Sequence, residues 1–204
     1  MNKFDKIYKD FKNVYGEKIS PVIQIALDNL NIEGDVLGLG CGQGRDALFL
    51  GKTGYNVRAV DFSKEAINSV TAKAEELSIK NVEAICSDIR TFEIEQNRYS
   101  IIYSINAIPF IGRSDSLVLI EKMKTAIKVG GIVAISTMTE DNGSSSSANL
   151  QENSTFFKKE ELKNLFREFE LIKYFEIIKN EDAHPGVSLP HTHGMVRIVV
   201  RKIK

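Results

Sequence analysis

Glycine stands at every second position from Gly38 to Gly44, within Val36-Leu-Gly-Leu-Gly-Cys-Gly-Gln-Gly-Arg-Asp46. The residues before the run, 35–39, are short and apolar, as in a buried strand, and those after it, 45–52, have helical spacing. A strand that runs into glycines and then a helix constrains the chain strongly. Without Cβ atoms the backbone turns sharply and approaches a ligand closely. The free amides of the helix N-terminus add partial positive charge at the same place, suited to a carboxylate or a phosphate.

The alternation continues. Residues 56–60, 82–85, 99–105 and 132–135 read as strands. Helices are expected from Ser63, which would cap the first of them, to about 77, and over 117–129, ending at Gly130-Gly131. Strands alternating with helices imply a parallel sheet covered on both faces. The fold class is therefore α/β: a doubly wound, Rossmann-like, mostly parallel sheet. The tail departs from this, with a helix over about 158–169 and strand-like runs at 171–179 and 195–203 joined by a loop. That predicts an antiparallel C-terminal pair closing one edge. Ahead of the core, apolar residues at helical spacing between Phe4 and Leu30 are broken by Gly16 and Ser20-Pro21 into two helices. The organisation expected is one domain over 1–204, with a helical cap at 1–31, a core at 33–136, a polar mobile loop at 139–154 and the tail from 157. The loop follows the fifth strand and stands where a lid over the sheet edge would stand.

At 204 residues, with 43% hydrophobic and 26% charged residues, the chain resembles a soluble globular domain. Its 27 basic and 27 acidic residues balance, which argues against nucleic acid as a partner. No apolar run spans a bilayer and no secretory leader is read at the start, so a cytoplasmic location and no membrane partner are expected. Cys41 and Cys86 are expected to be buried, free thiols.

Asp61 follows the second strand, about twenty residues beyond the glycines, where an acid accepts both hydroxyls of a ribose. Phe62 beside it offers a ring to an adenine face, and Asp88, after the third strand, an acceptor for the adenine amino group. The bland alternatives are caps and turns. Together the three positions describe a nucleoside lying across successive strand ends. Gly42-x-Gly44-x-x-Ala47 also matches a dinucleotide fingerprint, so an NAD(P)-dependent oxidoreductase is the competing reading. The glycines beginning as early as Gly38, and Asp88, which dinucleotide binding does not require, favour the other cofactor considered, S-adenosylmethionine (SAM).

The ordered series Leu-Gly-Leu-Gly-Cys-Gly-Gln-Gly-Arg, Val-Asp-Phe-Ser, Ser-Asp-Ile and Ile-Lys-Val-Gly-Gly resembles class I SAM-dependent methyltransferases over roughly residues 33–136. More narrowly, Gly-Gln-Gly-Arg-Asp and the final Arg-Ile-Val-Val-Arg-Lys resemble the tellurite-resistance and thiopurine methyltransferase-like branch. By that resemblance Gly40, Cys41 and Gly42 line the methionine part of SAM, or of the product S-adenosylhomocysteine. Asp61 takes the ribose, Phe62 the adenine face, and Asp88 with Ile89 the adenine edge. Ser104 would lie beside the methionine group and Tyr15 would close over the cofactor, with Arg45, Ser63 and Ser87 as further cofactor-side residues. Two departures stand out: Gly38 occupies the place of an acid that usually holds the methionine amine, and Tyr99-Ser100 replaces Tyr-Asp. The first makes a catalytically silent SAM-binding module a third reading.

SAM carries its own leaving group, so the protein must exclude water and align a nucleophile. All three histidines fall in 184–193, taken as a loop over the sheet edge. His191 or His193 is expected to serve as base or substrate ligand, helped by Arg197. No metal is expected, because no cysteine or carboxylate cluster accompanies the histidines in the sequence. The acceptor expected is a small molecule, a soft nucleophile such as a thiol or a selenium or tellurium oxyanion. Oligomeric state is not legible.

Overall fold

A computed structural model describes residues 2–140, 154–183 and 190–204. Most of the expected polar loop, 141–153, whether surface loop or lid, and His184 lie outside the described residues. The elements in order are α1 (Lys3–Asp10), α2 (Pro21–Asn29), β1 (Asp35–Leu39), α3 (Arg45–Lys52), β2 (Val57–Asp61), α4 (Lys64–Glu76), β3 (Val82–Cys86) and β4 (Tyr99–Ile105). A short 3-10 turn (Ile108–Phe110) follows, then α5 (Arg113–Ala126), β5 (Ile127–Met138), α6 (Glu161–Leu165), β6 (Glu170–Glu181) and β7 (His191–Arg201).

The seven strands form one sheet in the order β3-β2-β1-β4-β5-β7-β6. Strands β1 to β5 are parallel, while β7 runs antiparallel to both β5 and β6. Chain direction across the sheet reverses between β1 and β4, which opens a crevice at their carboxyl ends where ligands bind in such folds. The glycine turn leaves β1 at that crevice. In β4, residues from Tyr99 to Ser104 are all buried, as a central strand of a covered parallel sheet requires.

The pleat sends alternate side chains to two cores. On one face Leu37, Ile102, Val133 and Ile198 pack with Leu119, Ile120 and Met123 of α5. On the other, Val36, Ile101, Ala134 and Val199 meet Val22, Ile23 and Ala26 of α2 and Ala47 and Leu50 of α3. Helix α1 is held differently. It has no buried residue and rests on caps and contacts with α4.

Several boundaries differ from the sequence reading. Helix α5 covers 113–126 rather than 117–129, and β5 starts at Ile127. Its pairing with β4 jumps from Tyr99↔Ile127 to Ile101↔Ile132, so Gly130-Gly131 is a bulge inside a strand and not a helix stop. Helix α6 is only 161–165, because the chain turns through 166–168 into β6. Cys86 is exposed and Cys41 partly covered, which corrects the pair of buried thiols; both are free.

Candidate active site

Gly40 and Gly42 take positive φ values of 73° and 54°. A Cβ on Gly40 would stand 2.1 Å from that of Ala107, so glycine is needed there for space as well as for conformation. The turn is fastened to β2, since the amides of Gly40 and Cys41 both donate to the Val60 carbonyl, at 2.8 and 3.0 Å. One residue further on, Asp61 Oδ2 accepts the Gly42 amide at 2.8 Å and Oδ1 accepts the Ser63 amide at 2.9 Å. Each carboxylate oxygen is oriented by a backbone amide and, with two lone pairs, has capacity to accept a ribose hydroxyl as well. Burial pushes the Asp61 carboxyl above its ordinary value, and the amides of Ser63 and Gly42 oppose that shift. Ser63 itself is buried and caps α4, accepting the Ala66 amide. Its hydroxyl also donates to Asp5 of α1 at 2.6 Å.

The Gly-Gln-Gly-Arg-Asp variant has a job that sequence reasoning missed. Gln43, only 8% exposed, accepts the Val14 amide at 2.9 Å and donates to the Phe11 carbonyl at 2.8 Å. Arg45 donates to the Tyr15 carbonyl, and Asp46 accepts the Ser20 amide at 2.7 Å. Three positions of the motif, Gln43, Arg45 and Asp46, thereby strap the segment between α1 and α2 across the crevice. Tyr8 of α1 brings its hydroxyl to 3.1 Å from where a Cβ on Gly42 would be. The signal was visible only as an unusual spelling of the glycine motif.

A single cleft is lined by Tyr15, Gly40, Cys41, Gly42, Arg45, Asp61, Phe62, Asp88 and Ile89 among the residues expected to contact a cofactor. Ser63, Ser87 and Ser104 do not line it. Ser104 is fully buried, and the pleat sends it to the face opposite Tyr103 and Ile105, which do line the cleft. Phe62 is half exposed, and the ring of Phe4 meets it edge-on at 5.8 Å between centroids. Asp88 is paired with Arg90 (Nε to Oδ2, 2.9 Å), which holds its carboxyl below the usual range. Asn106, unremarked in the sequence, lines the cleft with φ 56° and accepts the Ser136 hydroxyl at 3.1 Å. Asparagine tolerates that conformation, and its position just after a strand was the available signal.

The missing acid at Gly38 has a steric counterpart. A Cβ there would lie 2.4 Å from both Cζ and Oη of Tyr103, so the tyrosine occupies the space an acid would take. The Tyr103 hydroxyl is buried with no hydrogen-bond partner among the described residues, and it lines the cleft together with Asp46.

His191, His193 and Arg197 line the same cleft. The histidines belong to β7 and not to a loop, and they are 8% and 4% exposed. The alternation of β7 puts them on one face with Met195 and Arg197. Register sets Glu181 opposite His191 and Lys179 opposite His193. Strand pairing therefore supplies the carboxylate that the sequence reading found missing beside the histidines. Burial lowers the Arg197 guanidinium from its ordinary value, Glu181 acts in the opposite direction, and the group lies over the Phe175 ring at 5.6 Å. Arg113, which also lines the cleft, is committed to Glu161 and the Phe156 carbonyl.

A switch-point crevice, a glycine turn clamped by a buried acid and an antiparallel β7 together define a class I methyltransferase fold. Comparison with known proteins agrees. The family described as Tellurite resistance protein TehB matches residues 4–184, and the chain belongs to that family. The probable S-adenosyl-L-methionine-dependent methyltransferase TehB of Haemophilus influenzae is 31% identical over 142 residues, covering 69% of this chain and 48% of that protein. Hemagglutinin 1 of Eikenella corrodens is 32% identical over 171 residues, covering 81% of this chain and 54% of that protein. The chain thus spans about half the length of these curated relatives. The crystal structure of TehB from Haemophilus influenzae superposes with a TM-score of 0.78 at 25% identity, covering 98% of this chain and 67% of that one. Among the described residues no helix is long and apolar enough to cross a membrane.

Proposed function

We propose that the protein transfers a methyl group from SAM to a small-molecule acceptor with a soft nucleophilic atom, such as a thiol or a selenium or tellurium oxyanion. The observation that carries the cofactor is Asp61, buried at the glycine turn with both oxygens oriented by backbone amides and still able to accept. The residues present fit SAM. Asp61 takes the ribose, Phe62 and Ile89 flank the adenine, and Asp88 accepts its amino group. Backbone at Gly40 to Gly42, where a Cβ would fill the cradle, receives the methionine part. Tyr103 and Asp46 line the cleft by the glycine turn and take over the amine from the acid absent at position 38. When bound, SAM supplies an activated methyl and its leaving group.

The chain contributes exclusion of water and alignment. The segment strapped by Gln43, Arg45 and Asp46 covers the cofactor side. His191, His193 and Arg197 serve the acceptor, the imidazoles as base or ligand and the guanidinium as a cation for an anionic nucleophile. The name of the matched family supports tellurium among the acceptors to test. S-adenosylhomocysteine release should be followed with tellurite, selenite and small thiols in turn. Turnover with one or more that falls on Arg197→Ala, with cofactor affinity retained, supports the reading. Turnover that is indifferent to Arg197, His191 and His193 overturns the acceptor assignment.

A further inference from the structure

Strand β7 opens His191-Thr-His193, and the two-residue period of a strand sends both imidazoles to one face. Glu181, the last residue of β6, pairs directly opposite His191. Its Oε2 lies 3.7 Å from His191 Nε2 and 3.4 Å from His193 Nε2. One ligand atom from each of the three residues falls within 4.8 Å of the others. Four ligands held tetrahedrally at about 2.0–2.2 Å from an ion stand about 3.3–3.6 Å from one another. The two distances to Glu181 are within a few tenths of an ångström of that edge.

We propose that Glu181, His191 and His193 hold a divalent transition ion of the zinc class, with a coordination position open to the cleft. Two imidazoles and one carboxylate are a donor set for first-row transition ions rather than for calcium or magnesium, which take oxygen ligands. Three protein ligands leaving one position open are the pattern of catalytic zinc sites, whereas structural sites close all four. The placement agrees, because all three side chains line the same cleft as the glycine turn. Both histidines are already buried in a paired strand, so little ordering remains when an ion arrives. Lys179 forms an ion pair with Glu181, but it is a half-exposed surface contact that an ion at the carboxylate readily displaces. Arg197, on the same face beyond Met195, favours an anion at the open position. That this anion is the acceptor, a thiolate or chalcogen oxyanion, rests on the methyl-transfer reading. The ion itself does not.

The test uses the full chain without a histidine tag, stripped by a chelator. Calorimetric titration with Zn²⁺ measures stoichiometry, and visible absorption of Co²⁺ reports tetrahedral coordination. One ion per chain is expected. His191→Ala and His193→Ala should each weaken binding by at least about 100-fold, the upper end of the 10–100-fold that loss of a mere supporting partner around a metal brings. Glu181→Gln, close in shape, should also weaken it. Titration of each variant with S-adenosylhomocysteine shows whether the fold and the cofactor site survive. Absence of stoichiometric Zn²⁺ binding in a protein that binds S-adenosylhomocysteine overturns the ion and leaves methyl transfer standing. Zn²⁺ affinity unchanged in both histidine variants also overturns it. Zn²⁺ binding lost in the variants, in a protein that never binds S-adenosylhomocysteine, supports the ion and removes the methyl-transfer reading.

Discussion

Replacing Gln43 by alanine should loosen the segment between α1 and α2 without unfolding the domain. Two well-formed hydrogen bonds are lost, one accepted from Val14 and one donated to Phe11, and a longer contact to the Tyr8 carbonyl goes with them. A net hydrogen bond contributes about 0.5–1.5 kcal/mol, so the strap loses roughly 1–3 kcal/mol. The main core should hardly notice, since α1 buries no residue and the sheet packs on α2, α3 and α5. If cofactor binding needs the segment in place, the same free energy appears as a loss of S-adenosylhomocysteine affinity of about 5- to 150-fold. Calorimetric titration measures that loss, and hydrogen exchange over residues 3–20 measures the opening. Gln43→Glu, which keeps the acceptor for Val14 but loses the amide donor, should fall between. Unchanged affinity together with unchanged exchange would refute the strap. Faster exchange with unchanged affinity would separate the strap from the cofactor.

Further outcomes follow from the same geometry. Gly38→Asp, which supplies the acid that the methyltransferase resemblance leads one to expect there, should lower stability by about 1–3 kcal/mol because its Cβ meets the Tyr103 ring. Adding Tyr103→Ala should relieve that clash in thermal unfolding, and no relief would mean the ring was not the obstacle. Burial raises the Asp61 carboxyl above 3.8, so the stability linked to its proton is full below 3.8 and fades as pH rises through the folded value. Cofactor hydrogen bonding wants the ionised form. Affinity for S-adenosylhomocysteine should therefore fall on acidification from neutral through that raised value, and a flat profile across pH 4–7 would contradict it. A thiol reagent should modify exposed Cys86 quickly and Cys41 slowly, because burial pushes the Cys41 thiol well up. Peptide mapping that finds Cys41 modified first would count against this.

Local chemistry made half of the site readable and hid the other half. The turn from Gly40 to Gly44, Asp61 after β2 and the Ser63 cap carry local signatures: a glycine run between a strand and a helix, an acid at a strand end and a serine at a helix start. Alternation and residue placement therefore exposed them, although Val60, Asp61 and Ala107 complete the turn from afar. The acceptor end is different. On β7 the cleft-facing positions 191, 193 and 197 are histidine and arginine, so the apolar alternation that marks a strand begins only at Met195 and the polar start resembles a loop. Glu181 ends β6 in the sequence Lys-Asn-Glu and meets His191 only through antiparallel register, which no spacing along the chain announces. Gln43 likewise contacts residues about 30 positions away. Tyr103 filling the space above Gly38 is a contact between neighbouring strands that register alone creates.

The central claim is that the glycine turn and Asp61 bind SAM. Titration of the wild type and Asp61→Ala with SAM, S-adenosylhomocysteine and NADPH tests it most directly. Saturable binding of SAM and S-adenosylhomocysteine but not NADPH is expected. Asp61→Ala should weaken it by at least about 100-fold, the loss of two charge-assisted hydrogen bonds of about 1.5–3 kcal/mol each. Binding of NADPH alone, or SAM affinity indifferent to Asp61, would contradict the account.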